Sequence, residues 1–230
     1  MQSRLTALSD IVDLARVEVA LEQVHASDWV DKWKQYYHPA RITRFLTILP
    51  TWDDAYQISP GELAIRLDPD VSFGTGTHPT TVLALYALEQ IIRGGESVID
   101  VGTGSGVLAI ASVLLGAEKV LASDIDDAAV AIAASNFDHN PVGDKITAIV
   151  NSGLIGITEP VDIVVANILA EVLALIIADA ASLLNPGGRL VLSGIYYDKI
   201  DLIRQQVQTA GLTILTQMSL GDWHCLVASR

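Results

Sequence analysis

The stretch SVIDVGTGSG, residues 97–106, joins an apolar run to a glycine-rich loop. Its first five residues predict a buried strand, and the apolar residues after position 106 predict a helix. Gly102, Gly104 and Gly106 stand at alternate positions, which lets the backbone pass close to a ligand at the end of the strand. A strand, a glycine loop and a helix in this order are typical of nucleotide-binding α/β proteins, although a tight turn alone would look similar.

The same alternation continues along the chain from about residue 62. Further strands are predicted at 119–124, 145–150, 162–167, 189–194 and 223–229. Helices are predicted at 107–115, 127–138, 169–184 and 197–210. Strands that alternate with helices imply βαβ units, so the predicted fold class is α/β: an open, doubly wound, mostly parallel sheet, with a final strand that could run antiparallel.

Composition narrows the classes of function. The chain has 230 residues, 50% of them hydrophobic, and a formal net charge of −13. No basic stripe is present, so a nucleic-acid backbone is not an expected direct partner, whereas a basic protein or a cationic small molecule is compatible. A single cysteine, Cys225, excludes a disulfide framework and a cysteine-rich zinc site. With no apolar run of membrane-spanning length and no signal-peptide pattern, we expect no membrane partner and a cytoplasmic location.

The residues around the glycine loop indicate which nucleotide binds. Val107 stands where the dinucleotide fingerprint requires its third glycine. The carboxylate of Asp100 at the loop entrance would repel a pyrophosphate, whereas S-adenosylmethionine carries a sulfonium and an ammonium and no phosphate. We therefore predict S-adenosylmethionine as the cofactor, with Asp100, Gly102 and Gly104 in its site. Asp124 ends the second strand, where an acid can bind both ribose hydroxyls.

Two further segments carry polar residues at positions of interest. Asn167 closes an apolar strand and would lie in the ligand crevice, although it could also cap the following helix. The loop LDPDVSFGTGTHPTT, residues 67–81, precedes a helix and offers hydroxyl and amide donors. Within it His78 could assist proton loss or could brace the loop by a hydrogen bond, and Phe73 could contact a ligand or belong to the core.

Together these segments resemble one family. The loop at 67–81, VIDVGTGSGVLAIA, SDID and VVANILAEVL look like the methyltransferases that modify large-subunit ribosomal protein eleven (PrmA type). DWVDKWKQYYHPARI also resembles the linker of that family. The resemblance implies a class I S-adenosylmethionine-dependent methyltransferase domain at 61–230, a linker at 27–60 and, at 1–26, a remnant of the N-terminal substrate-recognition domain.

The resemblance also implies the activity and a set of residues. It assigns cofactor contacts to Thr81, Gly102, Asp124 and Asn167. It implies N-methylation of lysine or N-terminal amino groups of the ribosomal protein, while the oligomeric state stays open. From the chemistry of methyl transfer we expect Asn167 to be catalytic, by accepting hydrogens of the amine through its side-chain oxygen, and we expect neither a dedicated general base nor a metal.

Other functions stay open at this point. The same enzyme could act on another protein or on a small-molecule amine, and a nucleobase is less favoured because Ile168 and Leu169 follow the asparagine where an aromatic residue would stack a base. A non-catalytic S-adenosylmethionine-binding module is a further alternative. A dinucleotide oxidoreductase is disfavoured by Asp100 and by the missing third glycine.

Overall fold

The computed structural model describes residues 37–68 and 76–230, and His38–Arg230 form one compact unit. The predicted N-terminal remnant at 1–26 lies outside the described residues, as does the first part of the predicted linker. From His38 onward, residues of the predicted linker pack in the same unit as the predicted methyltransferase domain. The boundary that we predicted between residues 60 and 61 falls within a small sheet.

That small sheet contains β1 (Ala40–Arg41), β2 (Leu46–Pro50) and β3 (Leu63–Leu67). β1 runs antiparallel to β2, and β2 runs parallel to β3. The buried Glu62 side chain at the start of β3 accepts hydrogen bonds from the hydroxyls of Thr47 and Tyr56 and from the Ser59 N–H. The hydroxyl of Thr47 and the Ser59 N–H lower the pKa of this carboxyl to about 2.

The main sheet has seven strands; four α-helices lie between them along the chain, and a fifth precedes the first strand. In chain order the elements are α1 (Pro79–Ile91), β4 (Ser97–Val101), α2 (Val107–Leu114), β5 (Lys119–Asp124), α3 (Asp127–Asp138), β6 (Ile146–Val150), β7 (Val161–Asn167), α4 (Ala170–Leu183), β8 (Leu184–Tyr196), α5 (Ile200–Thr209), β9 (Thr213–Leu220) and β10 (Trp223–Ser229). The strand order is β6-β5-β4-β7-β8-β10-β9. The first five strands are parallel and β10 is antiparallel to both its neighbours, which confirms the predicted fold class.

Helices cover both faces of the sheet. Apolar residues of α1, α2 and α3 share one buried cluster, and those of α4 and α5 share the other. Successive strand residues point to opposite faces, so Val98 joins the first cluster and Ile99 the second. This burial on both faces explains the nearly continuous apolar runs from which the strands were predicted.

Two strands differ from the prediction. β9 was not predicted, because its sequence TILTQMSL is half polar and the strand lies at the edge of the sheet, with one row of residues exposed. β8 begins at Leu184 rather than at Arg189. Residues Asn185–Gly188 lie within this strand as an irregularity in the pairing, since Val161 pairs with Leu184 but Ile163 pairs with Arg189. Within residues 37–68 and 76–230, no helix is long and apolar enough to cross a membrane.

Candidate active site

Three predicted site residues lie side by side at the carboxyl edge of the sheet. In the strand register, Val101 of β4 pairs with Ser123 of β5 and with Ala166 of β7. The residues that follow these three along the chain are Gly102, Asp124 and Asn167, respectively, so all three stand at one level. Parallel strands present their carboxyl ends together, and the ligand crevice of such a sheet lies there.

The glycine loop is held by backbone geometry that only glycine adopts readily. Gly102 and Gly104 have φ values of +71° and +53°. A Cβ atom at Gly102 would lie 2.3 Å from a methyl carbon of Ile168, so no side chain fits there. The Gly104 N–H donates to Asp124 Oδ2 at 3.0 Å, which fixes the loop against the acid of the next strand.

Asp100 lies beneath this loop and does not line the crevice. Its side chain is fully buried, and Oδ2 accepts a hydrogen bond from the Thr103 hydroxyl at 2.7 Å. Oδ1 makes no hydrogen bond of ordinary geometry with the described residues. Burial raises the pKa of this carboxyl to about 7, against the lowering effect of the Thr103 hydroxyl. Sequence reasoning had placed Asp100 at the loop entrance, facing the ligand, and the structure places it one layer deeper.

Asn167 faces the crevice and does not cap the next helix. The N-cap of α4 is Leu169, which has no side-chain cap hydrogen bond. Instead Asn167 Nδ2 donates to the Thr81 hydroxyl oxygen at 3.2 Å, across 86 residues of sequence. This bond sets the orientation of the amide, so that Oδ1 is the end without a protein partner among the described residues. Thr81, which lies in the first turn of α1 and is 3% exposed, thereby becomes part of the site.

Two cavities meet at the segment Asn167–Leu169. The glycine-loop cavity, about 480 Å³, also has Gly102, Gly104 and Asp124 in its wall. The tryptophan cavity, about 440 Å³, also has Thr81 and Trp223 in its wall. Each volume lies in the range of small-molecule sites, and the shared wall places Asn167 between them.

His78 belongs to the wall of the tryptophan cavity, and its ring is braced. It is the N-cap of α1, where Nδ1 accepts the Thr80 N–H at 3.4 Å and lies 2.8 Å from the Thr80 hydroxyl. Its ring packs edge-on against Trp223 with centroids 5.1 Å apart. Nδ1 is therefore engaged in capping the first turn of α1. The bracing role is thus the one that the geometry supports.

Other candidates have simpler roles. Cys225 is fully buried, and burial raises the pKa of its thiol to about 12. Asp126 is the N-cap of α3 and accepts the Ala128 N–H at 3.0 Å. Phe73 lies outside the described residues. Across the two described ranges, no group of three or more His, Cys, Asp or Glu residues could hold a metal ion.

Sequence reasoning missed three residues that shape the site. In the sequence, the only local signal at Trp223 is the Gly-Asp turn that precedes it, and this signal does not predict a site residue. Gly194 has a φ of +84°, and a Cβ there would lie 2.3 Å from the Ile168 carbonyl oxygen. Ile168 therefore packs between the backbone of Gly102 and that of Gly194, and this packing fixes the turn that presents Asn167. No pattern of neighbouring residues in the sequence predicts such a contact.

The strand order, the glycine loop and the acid at the end of β5 define a class I methyltransferase. The family model described as "Ribosomal protein L11 methyltransferase (PrmA)" matches residues 2–230. This chain belongs to that family.

Individual relatives agree with this assignment. The ribosomal protein L11 methyltransferase of Streptococcus pneumoniae serotype 4 is 48% identical over all 230 residues, which span 72% of that protein. The crystal structure of a ribosomal protein L11 methylase from Lactobacillus delbrueckii subsp. bulgaricus has a TM-score of 0.80 at 39% identity and covers 84% of this chain and 99% of its own. A methyltransferase from Pyrococcus furiosus shares the fold, with a TM-score of 0.58 at 21% identity over 73% of this chain and 88% of its own.

Proposed function

We propose that this enzyme transfers methyl groups from S-adenosylmethionine to lysine or N-terminal amino groups of ribosomal protein L11. The observation that carries the proposal is the Asn167 amide, which Thr81 orients at the junction of the two cavities. Family membership and the names of the relatives support the substrate. A ribosomal substrate would place the reaction in the cytoplasm, and the net charge of −13 favours a basic protein partner.

The glycine-loop cavity fits S-adenosylmethionine. Gly102 and Gly104 carry no side chain that would hold a ligand away from the backbone. Asp124 is half-buried in the cavity wall and can accept hydrogen bonds from ribose hydroxyls. The buried carboxyl of Asp100 under the loop, in its ionised form, favours a cationic ligand and disfavours a phosphate. When bound, S-adenosylmethionine supplies the methyl group on an electrophilic sulfonium.

The tryptophan cavity would hold the acceptor amine. An unperturbed lysine amine has a pKa of about 10.4, so it must lose a proton before it can attack. The apolar side chains of Trp223 and Ile168 in the cavity wall disfavour the charged ammonium form. Asn167 Oδ1, held towards the junction, would accept one N–H of the neutral amine and direct its lone pair to the methyl carbon.

The assignment of Asn167 as catalytic is tested by replacing it. We expect Asn167→Ala to lower kcat on the order of 100-fold, the usual cost of losing one positioned hydrogen-bonding group. Transfer is followed by the intact mass of purified L11 after incubation with S-adenosylmethionine, and cofactor binding is followed by calorimetry. Thr81→Val is the matched variant, because it removes only the hydroxyl that orients the amide. We expect it to show a smaller loss of kcat.

The outcomes separate the parts of the proposal. Wild-type turnover in Asn167→Ala would refute the orienting role of the amide. Cofactor binding without any transfer to L11 by the wild-type protein would refute the substrate and leave the class of enzyme standing. No binding of S-adenosylmethionine would refute the cofactor site.

A further inference from the structure

The buried side chain of Asn136, on α3, supports the glycine loop. Asn136, in the last turn of α3, is 1% exposed and bonds to two separate segments. Its Nδ2 donates to the Ser105 carbonyl at 2.8 Å, and its Oδ1 accepts the Asp68 N–H at 3.0 Å. One side chain thus ties the glycine loop to the chain that leaves β3.

Ser105 directly follows the residue that contacts the ribose-binding acid. The N–H of Gly104 donates to Asp124 Oδ2 at 3.0 Å, and the carbonyl of Ser105 accepts from Asn136 at 2.8 Å. The peptide between Gly104 and Ser105 therefore lies between two peptide groups that are each held by a hydrogen bond. A shift of the Ser105 carbonyl would change the backbone torsions of Ser105 and, through this peptide, the position of Gly104.

Apolar packing reinforces the same support. A Cβ atom at Gly106 would lie 2.5 Å from the Phe137 ring and 3.3 Å from the Ala133 methyl group. The last two turns of α3 therefore lie directly against the glycine loop. Because the loop backbone is in contact on this side, it cannot relax freely if the polar bond is lost.

The neighbouring Asn140 provides an internal comparison. It is 8% exposed and bonds to both backbone groups of Arg66, with its Oδ1 accepting the N–H and its Nδ2 donating to the carbonyl, each at 2.8 Å. It also donates to the Asn136 carbonyl at 2.7 Å. Asn140 thus fastens the outer edge of β3 to the end of α3, with no hydrogen bond to the glycine loop among the described residues.

We propose that Asn136 is a positioning residue for S-adenosylmethionine, acting through the Ser105 carbonyl on the glycine loop. The inference rests on the proposed cofactor. A buried amide that uses both its donor and its acceptor fixes two segments relative to each other. The residues that contact a ligand depend on such support from the residues that pack behind them. Asn140, by contrast, supports only the stability of the fold.

The first test compares matched substitutions. We expect Asn136→Ala to raise the Kd for S-adenosylmethionine at least about tenfold, equal to about 1.4 kcal/mol, with a smaller change in kcat at saturating cofactor. We expect both substitutions to lower the urea midpoint of unfolding. Asn140→Ala, however, should change the Kd for S-adenosylmethionine by less than about twofold. Equal effects of the two substitutions on the Kd would overturn the proposal.

The second test follows NMR signals of the wild-type protein. It needs no substitution, so it decides the question even where a variant does not fold. In wild-type protein labelled with ¹⁵N, we expect the side-chain amide signals of Asn136 to shift when S-adenosylmethionine is added, and those of Asn140 to stay in place. Unshifted Asn136 signals in the presence of shifted Gly102 and Gly104 signals would overturn the positioning role. If the glycine signals also fail to shift, the cofactor assignment itself fails.

Discussion

The buried carboxyl of Asp100 makes a quantitative prediction about stability and pH. Its pKa is raised to about 7 from an ordinary value of 3.8, chiefly by burial. In the pH range between these values the folded chain keeps a proton that the unfolded chain has lost. The free energy of unfolding therefore falls as pH rises from about 4 to about 7, and the contribution of this group is most favourable at low pH.

The magnitude follows from the interval between the two values. At about 1.4 kcal/mol per pKa unit, the interval from 3.8 to about 7 corresponds to roughly 4 kcal/mol. Between about pH 5 and pH 8 the expected change is roughly 3 kcal/mol, since part of the window lies below pH 5. Asp100→Asn removes this dependence. An unpartnered amide at the position of Oδ1 costs a further free energy, but that cost is the same at every pH.

The assay is urea unfolding of the wild-type protein and of Asp100→Asn, without cofactor, at several pH values. Other groups titrate in both proteins, so the difference in free energy of unfolding between them isolates Asp100. We expect the variant to gain roughly 3 kcal/mol relative to wild type between about pH 5 and pH 8. A constant difference across this range would refute the reasoning.

The pH dependence of cofactor affinity provides a second measurement of the ionisation of Asp100. A cationic ligand over the loop stabilises the carboxylate, so wild-type affinity for S-adenosylmethionine should rise as pH rises towards 7 and should level off above it. The affinity of Asp100→Asn should be weaker and independent of pH in this range. Parallel pH profiles of the two proteins would show that Asp100 does not sense the ligand.

Three further predictions concern single contacts. Asp124→Asn should weaken S-adenosylmethionine binding, measured by calorimetry, at least about tenfold. The amide has one acceptor oxygen, whereas the two ribose hydroxyls and the Gly104 N–H all need an acceptor. An unchanged Kd would contradict the ribose role. Gly102→Ala should give less folded protein and a lower urea midpoint, since its Cβ would lie 2.3 Å from Ile168, and Ile168→Ala should partly restore the midpoint if the clash is the cause. Glu62→Gln should remove part of the acid sensitivity of folding. Because the pKa of Glu62 is lowered to about 2 in the folded chain, its carboxylate stabilises the fold above about pH 4.5, and this stabilisation is lost as pH falls towards 2. Identical acid-unfolding curves of the two proteins would argue against this role.

Features that depend on neighbours in the sequence could be predicted from it. The order of strands and helices in the main sheet followed from apolar periodicity, because burial on both faces leaves continuous apolar runs. The glycine loop and Asp124 followed from spacing, because a strand, its turn and the next strand end are local units. These features were sufficient for the class of enzyme. The edge strand β9 was missed because half of its residues face outward and carry no apolar signal.

Contacts between distant segments were decided only by the tertiary structure. The bond between Asn167 and Thr81 joins residues 86 positions apart, and it determines which end of the amide is left without a partner among the described residues. Trp223 of β10 contacts His78 at the start of α1, and Asp100 is fully buried. Each of these depends on which strands become neighbours and on how deeply a side chain is covered. A sequence pattern records the residue type at a position, whereas burial and partner choice are properties of the packed chain.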